Sequence, residues 1–427
     1  MPASRTSLAG FLTAARAVLV SPPAQRPKPL TFVVGNESAD LDSICSAIFV
    51  AYFRSHTPPY ALHIPLSNLP RADLALRPEL NAVLHPAHLS LDHLITLSDL
   101  PREEDLGVSD TRWLLVDHNV WTGRLAARFP SPVIVGCIDH HEDEGVVPTA
   151  LPAGQPRVFA KCGSCMSLVV EQCKETWDRL SCEGGPTSKN PTHCDAALAR
   201  IALAPILVDT ANLTSKDKTT ERDVSAVRVA ESKLLSALSA SSAEGEGGGG
   251  GGGEYERGKF YDELARLKEQ IAGMPYRDVL RKDYKRWREG SLSLGVSSVV
   301  QGFEYVVQEV GDKDQAAFLG ALRDWAAEQE LDVVAVMTVS RPGGVFTREL
   351  LVWGLNEEGA KAAREFDLKY GSTLGLESWK GGELDGGSIQ GTNSEGLRMC
   401  WTQRAIENSR KQVGPMLRAA MRESSRL

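Results

Sequence analysis

No stretch of the 427-residue sequence stays apolar for the ~20 residues that a membrane-spanning helix needs, so no membrane role is expected. A basic excess is missing as well. With 47 Lys and Arg against 55 Asp and Glu, the formal net charge is -8, which excludes binding to a nucleic-acid polymer through overall charge. Cys162 and Cys165 form one Cys-x-x-Cys, but the second pair that structural zinc requires is lacking. The eight cysteines, seven in the first half and several inside apolar runs, suit reduced, structural thiols in a cytoplasmic protein. Acidic residues are absent before Glu37, where "SLAGFLTAARAVLV" has arginine instead. A transit peptide shares that composition. The stripe of Leu8, Phe11, Leu12, Ala15, Val18 and Leu19 reads rather as an amphipathic helix packed on the following domain.

The length calls for two domains. From residue 30 to about 240, short runs such as "LTFVVG", "WLLVDHN" and "PVIVGCIDHH" alternate with stretches of helical period. The runs are continuously apolar, as in strands buried on both faces of a parallel sheet. "SSAEGEGGGGGGGEYERG" has no side chains to pack, so residues 241–256 are expected to be a linker or loop. A second low-complexity patch, "SCEGGPTSKNPTHCD", is expected to be a surface loop. After the linker come a charged helix at "YDELARLKEQIAGM" and apolar runs at "GSLSLGVSSVVQGF", "VVAVMTVS" and "RELLVWGL". The expected fold class is α/β: an N-terminal domain over 1–240 with a mainly parallel sheet flanked by helices, plus a smaller α+β domain over 257–427.

Four acidic corners interrupt the first domain. "GNESADLDSIC" places Asp40 and Asp42 two residues apart at a strand-to-helix junction, where one helix cap uses only one Asp. "RWLLVDHN" ends in Asp117, "VIVGCIDHHEDE" carries Asp139, His140 and His141, and "ARIALAPILVDTANLTSKDKTTERD" delivers Asp209. Any one of these is compatible with a helix cap or a surface turn. In an open α/β sheet, however, the carboxyl ends of the strands line one crevice, and buried carboxylates gathered there repel unless cations neutralise them. Oxygen and imidazole ligands without thiolate suit Mn²⁺, Mg²⁺ or Co²⁺. The ligands outnumber the needs of one ion, and a central Asp can bridge two ions about 4 Å apart, which points to phosphoryl hydrolysis.

These corners resemble the four motifs of the DHH phosphoesterase family, with the triplet itself at Asp139, His140 and His141. The C-terminal half resembles the second type of DHH-associated domain. Family II inorganic pyrophosphatases, fungal-type cytosolic exopolyphosphatases and prune proteins share this combination. The resemblance implies that Asp42, Asp117, His140 and Asp209 hold one metal, that Asp40 and a bridging Asp117 hold the other, and that His141 contacts phosphate. Family II pyrophosphatases open the first motif with His where this chain has Asn36, a weak ligand, so "GNESAD" matches the exopolyphosphatase and prune form better. Animal prune proteins carry Arg at the place of His141, so the intact triplet favours exopolyphosphatase.

In the second domain "RKDYKRW" supplies Lys285, and "ENSRKQVGP" supplies Ser409, Arg410 and Lys411. Composition alone makes these solvated helix charges. The resemblance implies that they reach the substrate phosphates across an interdomain cleft, with His141, Lys285, Arg410 and Lys411 assisting catalysis. Arg286, Arg288, Arg348, Lys380 and Arg404 are candidates to extend that cationic track, and Gly163 and Ser164 to position a helix beneath the site. The expected activity is release of terminal phosphate from inorganic polyphosphate by a monomer or weak oligomer holding two divalent ions. Inorganic pyrophosphatase, a prune-like nucleotide phosphodiesterase and a metal-free scaffold are the alternatives.

Overall fold

A computed structural model describes residues 6–182, 189–243, 255–387 and 396–424. The chain divides into two compact units, Met1–Lys268 and Glu269–Leu427.

The first unit is built on a five-stranded parallel sheet: β1 (Leu30–Val34), β2 (His63–Leu66), β3 (Thr111–Val116), β4 (Ile134–Asp139) and β5 (Arg157–Phe159), in the order β2-β1-β3-β4-β5. The central strands are buried along nearly their whole length, so the apolar runs are continuous because helices cover both faces. These helices are α1 (Leu8–Val20), α2 (Leu41–Ser55), α3 (Pro78–Leu84), α4 (Gly123–Arg128), α5 (Cys165–Cys182), α6 (Lys189–Asp209), α7 (Glu221–Ala243) and α8 (Arg257–Lys268). Helix α1 lays Leu8, Phe11, Leu12, Ala15 and Leu19 on the core, as its stripe predicts, and Ser7 caps it by accepting from Gly10 N at 3.1 Å.

Three segments take their form only here. The run "ARIALAPILVD" is helix: it is too long for a core strand and rich in alanine, and Leu198, Ala199, Ile201 to Ala204, Ile206 and Leu207 are fully buried, as in a helix surrounded by protein. The patch expected to be a loop is partly helical, since α5 runs to Cys182 and α6 begins at Lys189; residues 183–188 lie outside the described residues. Helix α8 belongs to the first unit although its residues were expected in the second domain. The cause is local packing: Leu264 is fully buried in the first core, and Arg257 donates through Nε to Glu231 of α7 at 2.7 Å. The glycine tract expected as a linker falls in 244–254, outside the described residues.

The second unit holds a mixed sheet of β6 (Tyr284–Glu289), β7 (Leu292–Val299), β8 (Val333–Ser340), β9 (Thr347–Gly354), β10 (Leu376–Ser378), β11 (Gly386–Gly387) and β12 (Leu397–Gln403), in the order β10-β12-β9-β8-β7-β6 with β11 beside β12. Among the described residues only β7 and β8 of this sheet pair in parallel, joined by the crossover through α10 (Phe303–Glu309) and α11 (Gln315–Glu328). Helices α9 (Tyr276–Lys282), α12 (Glu357–Leu374) and α13 (Arg410–Ser424) complete it. Cores lie on both faces of this sheet.

Candidate metal centre

From β1 the chain turns to β2 on one side, whereas β3 lies on the other. An open parallel sheet leaves a crevice at its carboxyl edge where the order reverses in this way. Asn36 and Asp40 follow β1, Asp117 follows β3, and Asp139 to His141 leave β4, so topology brings three of the four corners to one edge. Gly35 allows the close approach behind them, because a Cβ there would sit 2.4 Å from Ser43 Cβ in the first turn of α2.

Asp117 is the centre. It adopts a left-handed backbone, φ 59°, a strained conformation of the kind that functional sites retain. Its Oδ2 accepts from Ser43 Oγ at 2.6 Å and from Asn36 Nδ2 at 2.8 Å. Its Oδ1 lies 3.2 Å from His140 Nε2 and 3.9 Å from His141 Nδ1. Asp40 caps α2, accepting from Ser43 N at 3.0 Å. Asp42 accepts from the backbone N–H of Cys165 at 2.7 Å and of Met166 at 2.9 Å, at the start of α5. Asp209, at the end of α6, has Lys268 Nζ at 3.9 Å.

Electrostatics ties these groups together. Burial, then the charges of Asp117 and Asp209, pushes Asp40 up to about 6 and raises Asp42 well above the usual carboxylate range. Burial also opposes charge on Asp117, but the hydrogen bond and charge of His140, the charge of His141 and the Ser43 hydroxyl outweigh it and hold Asp117 ionised.

The donor set fits a divalent cation on one further observation. His140 Nδ1 sits 3.0 Å from the carbonyl of Cys162, which can only accept, so Nδ1 carries a proton, and whenever the ring is neutral Nε2 turns a lone pair toward Asp117 Oδ1. Two acceptors that face one another need a cation or a proton between them. Donation of the second ring N–H to a carbonyl is also how proteins orient metal-binding histidines. Asp117, His140 and His141 each bring a ligand atom within 4.8 Å of the others.

Asn36, expected as a weak ligand, is held by hydrogen bonds. Its Nδ2 faces Asp117, and its Oδ1 accepts from Ser38 N at 2.9 Å, so it serves the carboxylate as a hydrogen-bond donor. Sequence reasoning also left several supporting residues without a role. Asp139 accepts from His141 Nδ1 at 2.7 Å and from Asn119 Nδ2 at 2.6 Å, which fixes the His141 ring; its place in the triplet was the available signal. Asp223 accepts from the N–H groups of Gly163, Ser164 and Thr220 and from the hydroxyls of Ser167 and Thr220, anchoring the turn before α5. Arg77, 4% exposed, donates to the carbonyls of Ser38 and Ala39 and steadies the loop that carries Asp40, with no signal in the sequence.

In the second unit Lys285 lies on β6 opposite Val296. Arg410 opens α13 and donates to Asp283 Oδ1 at 2.7 Å and to its carbonyl at 3.1 Å, which ties it two residues from Lys285. Ser409 Oγ donates to Gln412 Oε1 at 3.0 Å and accepts from Lys411 N at 3.3 Å.

Comparison with known proteins identifies the family. Residues 31–206 match the DHH family, N-terminal domain, and residues 262–420 match the DHHA2 domain. A provisionally assigned exopolyphosphatase of Schizosaccharomyces pombe is 31% identical over 398 residues, 92% of this chain and 91% of that protein. The Homo sapiens exopolyphosphatase PRUNE1 is 24% identical over 331 residues, 77% of this chain and 63% of that protein. Among solved structures, a Methanococcus jannaschii protein provisionally assigned as a family II inorganic pyrophosphatase shares the fold, with a TM-score of 0.55 and 18% identity across 92% of this chain and 99% of the other. The chain is therefore a member of the DHH family, with a DHHA2 domain in its second half.

Proposed function

We propose that the protein is an exopolyphosphatase that removes terminal orthophosphate from inorganic polyphosphate. The observation that carries this reading is the 31% identity, along 92% of the chain, to a protein named for that activity. Asp42, Asp117, His140 and Asp209 would hold one divalent ion, Mn²⁺ or Mg²⁺, and Asp40 with Asp117 would hold a second. When bound, such ions polarise a phosphoryl oxygen and lower the pKa of a water that attacks it. Asn36 and Ser43 keep Asp117 Oδ2 oriented from behind. Asp139 keeps the His141 ring in place to contact the terminal phosphate. Lys285, Arg410 and Lys411 of the second unit neutralise the phosphates that leave, Arg410 as a planar fork and the lysines as point charges, while Ser409 offers a hydroxyl to the bound substrate.

The test is orthophosphate release by the purified chain with Mg²⁺ or Mn²⁺, comparing long-chain polyphosphate, tripolyphosphate, pyrophosphate and cyclic AMP. Cleavage of the polyphosphates with pyrophosphate a poor substrate is expected. Preference for pyrophosphate or cyclic AMP would replace the substrate while leaving the metal centre standing. No hydrolysis with any metal would return the scaffold reading.

A further inference from the structure

Five basic residues of the second unit were available to extend the cationic track, and their surroundings separate them. Lys380 Nζ is 2.7 Å from Glu304, and Arg404 is 2.6 Å from Glu377. Arg286 has Glu330 at 3.9 Å, and Arg288 is exposed. Arg348 differs from all of them. It is 8% exposed, yet among the described residues no carboxylate pairs with it, and its only hydrogen bond is from Nε to the carbonyl of Ile406 at 2.6 Å.

The stem of Arg348 is buried while the terminal nitrogens of its fork keep contact with solvent, where an anion can reach them. Burial lowers the pKa of Arg348, and the more distant Glu407 only partly offsets this. The aromatic ring of Phe346, 5.0 Å from the guanidinium carbon, covers one face and leaves the two terminal nitrogens without an acceptor. The anchor of this side chain is equally informative. Arg348 on β9 lies in register with Gln403 on β12, whose Nε2 donates to the carbonyls of Ala405 and Asn408, each at 2.7 Å. Two buried side chains on adjacent strands thus hold the segment that runs directly into Ser409, Arg410 and Lys411.

We infer that Arg348 is a phosphate subsite, a planar fork that takes an inner phosphate of a polyphosphate chain beyond the phosphates gripped by Ser409, Arg410 and Lys411. The inference rests on the polyphosphate reading above. Two anionic oxygens of one phosphate match the two unpartnered nitrogens, and the held segment keeps the subsite at a fixed distance from Arg410. Its effect is a preference for longer chains.

The experiment is steady-state kinetics of the full chain with Mn²⁺ on long-chain polyphosphate and on tripolyphosphate, comparing wild type, Arg348→Met and Arg348→Lys. Losing one charge-assisted contact is expected to raise KM for the long chain about tenfold in Arg348→Met, with KM for tripolyphosphate changed less than about twofold and kcat held. Arg348→Lys should recover part of the long-chain KM. Equal rises of KM on both substrates, or an equal fall of kcat on both, would reduce Arg348 to a loop anchor and overturn the subsite. If Arg348→Met does not fold, Arg348→Lys decides alone: the subsite requires its long-chain KM to rise more than its tripolyphosphate KM. A wild type that cleaves pyrophosphate but neither polyphosphate removes the substrate reading itself, a result distinct from failure of the subsite.

Discussion

Asp40→Asn offers a direct test of whether the carboxylates at the sheet edge repel one another in the metal-free protein. Asn caps a helix about as well as Asp, so the hydrogen bond to Ser43 N survives and α2 keeps its first turn. What disappears is one charge facing Asp117 and Asp209. Burial and those two neighbours push the Asp40 carboxyl from 3.8 up to about 6, so ionising it in the folded chain costs about 3 kcal/mol, an upper bound because the side chain keeps some contact with water. The sign follows from the raised folded pKa of an acid. The penalty is absent below the unfolded value of 3.8, grows as pH rises, and is complete above about 6. Losing the favourable charge at the α2 N-terminus takes back about 0.5 kcal/mol. The EDTA-treated variant should therefore resist urea better than wild type by about 2 kcal/mol near pH 7.5, and no better near pH 4. Saturating Mn²⁺ should reverse the ranking, since wild type gains more from binding an ion through Asp40 than the variant does. Equal or lower resistance of metal-free Asp40→Asn near pH 7.5 would refute the repulsion argument.

Three further outcomes follow from individual contacts. Burial lowers the His63 pKa from 6.5 to about 4, with Arg54 adding to the effect, so this group withdraws stability as pH falls from about 6.5 to 4; His63→Gln should flatten the urea midpoint over that window, removing up to about 3 kcal/mol of pH dependence. Gly163→Ala would place a Cβ 2.5 Å from Thr210 Cγ2 and should cost about 1–3 kcal/mol in urea unfolding, with weaker Mn²⁺ binding by calorimetry because the turn below His140 shifts. Asp223→Asn turns an amide N–H₂ against a ring of donors and should cost about 3 kcal/mol, seen as a lower thermal midpoint.

Much of the first unit was legible because parallel strands buried on both faces leave an unmistakable record. Each of β1, β3 and β4 is an apolar run followed closely by a polar side chain, and the amphipathic stripe of α1 maps onto its buried residues. Where periodicity is silent, the reading was weaker. Helix α6 has no polar face to mark its turns, and α8 packs on the first unit through Leu264 and the Arg257–Glu231 contact, neither of which a shift in composition signals.

The residue types at the four corners were determined by sequence alone, since a charge that must face a cation is visible in one dimension. Their division of labour was decided only by tertiary structure. Asn36 donates to Asp117 because the turn after β1 points its amide there, and the parallel pairing of β1 with β3 brings the two together from 81 residues apart. Asp139, Asp223 and Arg77 hold the others in place through hydrogen bonds to partners remote in the chain. Such contacts depend on direction and distance, which a sequence does not record until the chain has folded.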